Sequence, residues 1–468
     1  MTVPTPTAVA PSPERPCEGA DGAVWPLLPV VGGSLAVPLV DGRTVRYANL
    51  DYAASAPALQ AVAERVSEVL PYYSSVHRGA GFASQVSTAL YESSREEVAR
   101  FVGARPDDVV VLTRNTTDSL NLLASAVPAG GEVLFLDVEH HANLLPWREL
   151  PHRCIEAGHT LAGTVARVAD ALAERPYALL AVTGSSNVTG ELLPVTRLAE
   201  LAHAHGARIV VDAAQLAPHR RIDMELSGID YVAFSGHKLY APFGAGALVG
   251  RRDWLDAAPP YLLGGGAVRE VPAETDDRPV SWAAAPQRHE GGTPNVIGAT
   301  ALAAACTLVG SLPDGALATH ETQLRDRLVA GLRRLPGVRV LHIWPDSTER
   351  IGVVAFTVEG HDPGRLAAYL SAEHGVGVRD GRFCAHPLIA RLVPDGAGAV
   401  RASLGLGSSS DDVDRLLEGL EDLVTGGEGW TYALDGGRWA PCPDPRQPAA
   451  VLGGTADRRA GASPCEQG

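Results

Sequence analysis

The sequence contains no pair of cysteines at the close spacing that a metal site or a redox motif needs. Its six cysteines are scattered along the chain, at Cys17, Cys154, Cys306, Cys384, Cys442 and Cys465. Because no CxxC motif occurs, this distribution argues against both a disulfide framework and a structural zinc site. Reduced thiols and a cytoplasmic location are therefore predicted.

The sequence also lacks an excess of positive charge and long apolar runs. A net charge of −15 and a pI near 5.5 argue against nucleic acid or an anionic membrane as the main partner. No apolar run reaches the length of a membrane-spanning helix. The N-terminal stretch MTVPTPTAVAPSPERP has neither a basic leader nor an apolar core, so no secretory signal is predicted. We expect this stretch to be disordered.

What the chain does contain is enough apolar sequence for a large core. Of its 468 residues, 46% are hydrophobic and 20% are charged, which is typical of a soluble globular protein with two or three domains. The pattern predicts a tail and lead-in over 1–45, a large domain over 46–295, a small α+β domain over 296–425 and an extension over 426–468. Part of the N-terminal segment is expected to join the small domain.

Strand and helix patterns alternate through the large domain. Strand-like apolar runs occur at 109–113, 133–137, 178–183, 208–212, 231–234 and 246–250. Helical stretches between them predict an α/β fold with a mainly parallel sheet covered on both faces. Before this sheet, Ser55-Ala56-Pro57 is predicted to cap and open a helix. Ligands of such sheets bind beyond the carboxyl ends of the strands.

Polar residues follow those strand ends. The segment RNTT (114–117) opens a helix, whose free N–H groups and two hydroxyls can bind a phosphate. His140 could stack on a planar ring, and the Asp212 carboxylate could hold a ring nitrogen protonated. Lys238 follows the strand 231–234, where apolar surroundings can make its amine nucleophilic. Taken singly, a helix cap explains RNTT as well as a phosphate site does, and a surface lysine in a polar loop is the better explanation of Lys238.

Taken together, these features are those of a pyridoxal 5′-phosphate site. Such a site needs a lysine that binds the cofactor, a carboxylate that keeps its ring cationic, and donors that hold its phosphate. A nicotinamide-binding fold is not predicted, because no GxGxxG motif follows the first strand. A non-catalytic scaffold is disfavoured because Lys238, Asp212 and Arg401 are all present.

The segments around these positions resemble a known family. They are VHRG (76–79), TRNTTDSLNLLA (113–124), EHHANLLPW (139–147), SSNVTGE (185–191), VDAAQ (211–215), SGHKLYAPFGAGALVG (235–250), RHEGGTPN (288–295), RDGRFCAHPL (379–388) and VRASL (400–404). They are similar to the SufS-like (group II) cysteine desulfurases and selenocysteine lyases, which are class V aminotransferase-like, fold-type I pyridoxal phosphate enzymes. The resemblance covers about 47–424 and implies a seven-stranded sheet, pyridoxal 5′-phosphate as cofactor and a homodimer.

The resemblance implies a role for each matching residue. The catalytic residues are Lys238, which binds the cofactor covalently, His140, which stacks on its ring, and Cys384, which accepts sulfur. Asp212 pairs with the pyridine nitrogen and Gln215 lies near the ring hydroxyl. The phosphate is held by Thr116, Thr117, Ser235 and His237, and by Thr293 of the other subunit. Asn187 and Arg401 hold the substrate carboxylate, and His77 lies near the substrate entrance.

The segment around Cys384 departs from the family pattern. The family usually has two histidines before this cysteine and a glutamine or similar residue after the alanine, whereas this chain has Arg382-Phe383 and His386. After Arg401 it has GLGSS (405–409), where relatives commonly have Tyr-Asn-Thr. These differences leave the cofactor site intact and bear on the choice of substrate.

The implied reaction converts L-cysteine to L-alanine and leaves the sulfur on Cys384 as a persulfide, for donation to an acceptor protein or a small thiol. Cationic neighbours, here Arg379, Arg382 and His386, favour the thiolate form of a cysteine. The alternatives on the same cofactor are a selenocysteine lyase, a C–S lyase, or an epimerase or aminotransferase of secondary metabolism.

Overall fold

The computed structural model describes residues 22–77, 79–273, 278–394 and 396–446. Residues 1–21 of the predicted tail and lead-in, which include Cys17, and the end of the extension, which includes Cys465, lie outside these ranges. Within them, no helix is long and apolar enough to cross a lipid bilayer.

A seven-stranded sheet forms the centre of the large domain. Three short strands precede it: Ala36–Pro38 (β1), Thr44–Arg46 (β2) and Ala48–Asn49 (β3). The seven strands are Asp108–Thr113 (β4), Val133–Leu136 (β5), His152–Ile155 (β6), Leu179–Thr183 (β7), Arg208–Asp212 (β8), Tyr231–Ser235 (β9) and Gly246–Arg251 (β10). Their order in the sheet is β4-β10-β9-β8-β7-β5-β6, and only β10 runs antiparallel to its neighbours. The predicted α/β fold with a mainly parallel sheet is confirmed.

The sequence pattern did not locate the edge strand β6. Its residues, HRCI, alternate between exposed and half-buried positions, whereas β5, β7 and β9 are buried at every residue. A short edge strand with polar residues lacks the continuous apolar run that marks a strand buried on both faces.

Helices cover both faces of this sheet. They are Gln60–Val69 (α1), Phe82–Phe101 (α2), Thr116–Ala126 (α3), Leu161–Glu174 (α4), Val195–Ala204 (α5), Met224–Ser227 (α6), Arg252–Ala257 (α7) and Val296–Gly310 (α8). Although the sequence pattern assigned α8 to the small domain, it packs against α1 and α2 of the large one. Its residues Leu302, Ala305 and Cys306 belong to the large-domain core. A two-residue ladder, Ser281–Trp282 (β12) with Val268–Glu270 (β11), precedes it.

The first helix begins at Gln60 and not at the predicted Ser55 cap. The backbone N–H of Ala56 donates to the carbonyl of His237 at 2.8 Å, and Ser55 Oγ contacts the same carbonyl. This tertiary contact keeps residues 55–58 out of the helix and ties them to the loop that carries Lys238.

The small domain has its own sheet and core. Its strands are Val338–Val340 (β13), Val353–Val358 (β14), Val376–Gly377 (β15), Arg379–Gly381 (β16) and Ala399–Ser403 (β17), and its helices are Ala316–Leu332 (α9), Pro363–His374 (α10), His386–Leu392 (α11) and Ser410–Gly426 (α12). The sheet order is β13-β14-β17-β16. Strand β3 of the N-terminal segment pairs in parallel with β15.

The extension begins with a hairpin that packs on the small domain. Its strands, Tyr432–Asp435 (β18) and Arg438–Pro441 (β19), lie against α10. Tyr432 is buried and its hydroxyl donates to Glu373 at 2.8 Å, while the Arg365 guanidinium lies 5.1 Å from the ring of Trp439.

Candidate active site

A cavity of about 280 Å³ opens beyond the carboxyl ends of β7, β8 and β9, where the two domains meet. The large domain and the small domain both line it. All of the predicted site residues except two lie here: Thr116, Thr117, His140, Asn187, Asp212, Gln215, Ser235, His237, Lys238, Cys384 and Arg401.

The N-terminus of α3 forms one end of the cavity. The helix begins at Thr116 because the side chain of Asn115 accepts a hydrogen bond from the backbone N–H of Asp118. Ser235 Oγ accepts from the backbone N–H of Thr116 at 2.7 Å and lies 2.6 Å from Thr116 Oγ1. Helix N–H groups and clustered hydroxyls together are suited to hold a phosphate group.

His140 lines the cavity as a neutral ring. Its Nδ1 accepts a hydrogen bond from the backbone N–H of Ala142 at 3.0 Å, so the neutral ring carries its hydrogen on Nε2. Burial, and after it the charge of Lys238, lower the pKa of His140 to about 3. An uncharged imidazole can stack on a planar heterocycle.

Asp212 lies at the end of β8 and is buried. Its Oδ1 accepts from the backbone N–H of Ala214 at 2.9 Å. Burial raises the pKa of Asp212, since the carboxylate loses water. A cationic ring nitrogen beside it would stabilise the charged form, which is the pairing expected for a pyridine ring.

Three buried polar atoms of this cavity lack a partner within the described part of the chain, two of them in the large domain. Gln215 Nε2 donates to the Ala53 carbonyl at 2.8 Å, which leaves Gln215 Oε1 unpaired, and Ser185 Oγ is unpaired as well. Each unpaired buried group costs about 1–3 kcal/mol unless a ligand satisfies it. Gln215 Oε1 can accept a hydrogen bond from a ring hydroxyl, so the residues present fit the predicted cofactor.

Lys238 is the only lysine in the chain; all other Lys/Arg positions are arginine. It lies in the cavity just beyond β9. Burial lowers the pKa of Lys238 to about 8, with Arg401 acting in the same direction and Asp212 against it. A substantial fraction of this amine is therefore uncharged slightly above neutral pH, as a nucleophilic amine must be.

Arg401 on β17 supplies positive charge from the small domain. Its Nη1 donates to the carbonyl of Asn187 at 2.9 Å, and its Nη2 donates to the carboxylate of Asp51 at 3.1 Å. Its Nε has no partner among the described residues, although only 3% of Arg401 is exposed. A buried guanidinium with a donor to spare is suited to bind a carboxylate.

The loop that carries Cys384 has an unusual backbone. Phe383 and Cys384 have φ values of 51° and 53°, in the left-handed region that non-glycine residues seldom adopt. Two donors from the large domain hold this conformation at 2.8 Å each: Asn187 Nδ2 to the Phe383 carbonyl and the His141 N–H to the Cys384 carbonyl. Such strained residues are concentrated at functional sites.

Two imidazoles lie next to that loop. The rings of His141 and His386 are 4.5 Å apart at an interplanar angle of 77°. Burial, followed by the charge of His386, lowers the pKa of His141. His386 Nε2 is buried without a partner among the described residues.

Thr293 and His77 lie outside the cavity. Thr293 is exposed after the 3₁₀ turn at 287–289, and His77 Nε2 is 3.0 Å from the carboxylate of Glu92. The role of Thr293 at the partner subunit's site stays a prediction, as does that of His77 near the substrate entrance.

Several residues of the cavity were not found by sequence reasoning. They are Asn115, Ser185 and Phe383, which line it, and Asp51, which pairs with Arg401. One available signal was overlooked: in a chain with 39 basic residues, the only lysine is the one at the end of β9.

The carboxyl end of this sheet carries a lysine, a buried carboxylate, a neutral imidazole and a phosphate cradle. This combination is that of the fold-type I pyridoxal phosphate enzymes. The chain belongs to the class V aminotransferase family, since the family model "Aminotransferase class-V" matches residues 48–416. The predicted class V aminotransferase family, the fold class and the cofactor, pyridoxal 5′-phosphate, are thereby confirmed.

Curated relatives extend this result over most of the chain. It is 37% identical over 399 residues to the cysteine desulfurase of Klebsiella pneumoniae (strain 342), covering 82% of this chain and 94% of that relative. It is 38% identical over 363 residues to the probable cysteine desulfurase 2 of Mycobacterium leprae, covering 74% of this chain and 84% of the other.

Solved structures agree with the sequence relatives. The apo cysteine desulfurase from Thermococcus onnurineus NA1 superposes with a TM-score of 0.74 and 33% identity, covering 81% of this chain and 95% of the other. The cysteine desulfurase CsdA from Escherichia coli gives a TM-score of 0.69 at 33% identity, covering 80% and 94%.

Proposed function

We propose that this protein is a cysteine desulfurase of the SufS-like group that converts L-cysteine to L-alanine. The sulfur passes to Cys384 as a persulfide and then to an acceptor protein or a small thiol. The observation that carries this proposal is the position of Cys384 in the same cavity as Lys238 and Arg401. The curated relatives named cysteine desulfurase support it.

The substrate is held by its carboxylate. Arg401 binds that group as a charge-assisted fork, and Asn187 adds a neutral hydrogen bond. Asp51 pairs with Arg401 in the absence of substrate, and burial raises the pKa of Asp51. When bound, pyridoxal 5′-phosphate supplies an electron sink for the negative charge that forms at Cα of the substrate.

Lys238 and Cys384 carry out the proton and sulfur transfers. The uncharged Lys238 amine takes the proton from Cα of the substrate and later returns it. The Cys384 thiolate attacks the substrate sulfur, so that a sulfur–sulfur bond forms and the bond from Cβ to sulfur breaks. The proton released by the Cys384 thiol is balanced by one taken up at Cβ. Free cysteine and the enzyme thiol therefore become alanine and an enzyme persulfide, without an external oxidant or reductant.

The products from L-cysteine test this proposal. Purified holoenzyme with L-cysteine and a reductant is expected to release alanine and sulfide in equal amounts. Pyruvate in place of alanine would identify a C–S lyase. Conversion of the substrate to its keto acid, with transfer of its amino group to a second keto acid, would identify an aminotransferase. A strong preference for selenocysteine over cysteine, measured as kcat/KM, would instead favour a selenocysteine lyase.

The pKa of Lys238 predicts the pH dependence of cofactor binding. Because burial lowers the pKa of Lys238 to about 8, the neutral amine accumulates as the pH rises through that value. The rate at which cofactor-free protein takes up pyridoxal 5′-phosphate should rise between about pH 7 and 9 and then level off, as followed by absorbance. A rate that continues to rise towards pH 10.5, the ordinary pKa of lysine, would contradict this prediction.

We also propose a homodimer, in which Thr293 completes the phosphate site of the partner subunit. The exposure of Thr293 and its position outside its own cavity support this proposal. Thr293→Ala should leave the dimer mass in light scattering unchanged and weaken cofactor affinity. A monomeric mass for the holoenzyme would contradict the proposal. We propose a cytoplasmic location for this protein as well.

A further inference from the structure

A second cavity, of about 250 Å³, lies in the small domain next to α9 and contains mainly positive charge. Three arginines and a histidine line it, together with three hydroxyl side chains and one carboxylate: Arg325, Arg333, Arg350, His342, Thr189, Ser347, Thr348 and Asp326. None of these residues belongs to the pyridoxal phosphate cavity.

Arg350 and His342 form a close pair in this second cavity. Arg350 Nη1 donates to His342 Nδ1 at 2.5 Å. Burial, followed by the charges of Arg350 and Arg333, lowers the pKa of His342 to about 4, so the ring is neutral. Because its Nδ1 accepts a hydrogen bond, the ring carries its hydrogen on Nε2, which is a further donor.

The positive charges of this cavity are incompletely compensated. Arg325 bonds to Asp326 at 2.8 Å, and Arg350 reaches the buried carboxylate of Glu191 only at 3.4 Å. The guanidinium of Arg333 has no hydrogen-bond or ion-pair partner within the described ranges. Burial lowers the pKa of Arg350, and the neighbouring charges of Arg325 and Arg333 act in the same direction. Like charges held together in this way are stabilised by a bound anion.

We propose that this cavity binds a small, doubly charged oxyanion, with inorganic phosphate and sulfate as the fitting class. Guanidinium groups match the geometry of such ions and bind them through paired hydrogen bonds. The neutral imidazole and the Thr348 hydroxyl supply donors that add no further charge, whereas the Thr189 and Ser347 hydroxyls already donate to Glu191 and to the Glu349 carbonyl. The cavity of about 250 Å³ has room for a single small ion with its waters.

The anion would join the two domains. Thr189 belongs to the segment 185–191 of the large domain, whereas the arginines belong to the small one. That segment already pairs with the small domain, because the N–H of Ile351 donates to the Gly190 carbonyl at 2.8 Å. Occupancy should therefore raise the melting temperature of the protein.

Binding of inorganic phosphate to the pyridoxal phosphate-loaded protein tests the proposal. With the cofactor bound, the α3 phosphate cradle is filled and does not compete. Titration calorimetry and thermal melts at constant ionic strength, with chloride as the balancing ion, should show saturable binding of phosphate and of sulfate. Comparison with glycerol phosphate shows whether the site takes a free ion or also a phosphorylated metabolite.

Two neighbouring arginines provide a matched pair of variants. Arg333→Gln removes the uncompensated guanidinium and should weaken phosphate binding roughly tenfold or more. Arg334→Gln makes the same change in net charge at the neighbouring residue, which is exposed like Arg333 but does not line the cavity, and should bind phosphate like the unaltered protein. A phosphate response equal to that of chloride, or equal affinity in the two variants, would overturn the proposal.

Discussion

Lys238→Ala is expected to abolish covalent attachment of the cofactor and to lower alanine formation from L-cysteine by about 10²–10⁴-fold or more. The same amine binds the cofactor and moves the Cα proton, so one substitution removes both functions. Retention of the fold is expected, because the side chain faces a cavity and not the packed core. Circular dichroism measures whether the fold is retained, and the turnover number measures the loss of activity.

Because the chain contains no other lysine, a labelling experiment can identify the residue that binds the cofactor. Borohydride treatment of the holoenzyme should fix the cofactor to a single peptide, the one that contains Lys238. Lys238→Arg is the matched control, because it keeps the positive charge and removes the amine that can lose its proton near neutral pH. We expect it to be as inactive as Lys238→Ala. Turnover retained by Lys238→Arg would show that charge, and not a nucleophilic amine, is what the site requires.

Cys384→Ala is expected to keep the cofactor absorbance and to lose sulfur transfer. Alanine formation from L-cysteine should fall at least about 100-fold, or roughly 2.7 kcal/mol of transition-state stabilisation at 1.36 kcal/mol per tenfold. The cofactor absorbance should persist because the residues predicted to hold the cofactor lie on the large domain, whereas Cys384 lies on a small-domain loop. Peptide mass analysis of the unaltered protein after a brief exposure to L-cysteine should find one added sulfur atom on Cys384.

Two other cysteines provide the controls. Cys154 and Cys442 are exposed and lie outside the cavity, so Cys154→Ala and Cys442→Ala should retain full turnover. Full turnover in Cys384→Ala, or the added sulfur on Cys154 or Cys442, would contradict the assignment of Cys384 as the sulfur acceptor.

Much of the fold could be predicted from the sequence because the central strands are buried on both faces. The runs at 178–183, 208–212 and 231–234 have continuously apolar centres, and each forms a strand of the sheet. Local rules failed where tertiary contacts outweighed them. The Ser55 cap gave way to a hydrogen bond between Ala56 and the His237 carbonyl, and α8 joined the large domain because its apolar surface packs on α1 and α2.

The site could be predicted in part for a similar reason. Parallel strands bring their carboxyl ends to one edge of the sheet. The sequence therefore predicted that Asp212 and Lys238 lie close together. The pairing of Asp51 with Arg401 could not be predicted, because the two residues are 350 positions apart and come into contact only in the folded chain. The unpaired Gln215 Oε1 and the left-handed backbone at Cys384 are likewise properties of packing and not of spacing.

The sequence alone determined the class of sheet, the position of Lys238 at its edge and the family, because each depends on motifs whose residues are close along the chain. The tertiary structure decided the surroundings of Lys238. Burial lowers the pKa of Lys238, and two hydrogen bonds from the large domain hold the Cys384 loop at the same cavity. The uncompensated arginines of the small domain also come together only in the fold. Burial and long-range contacts are set by packing, which no local pattern encodes.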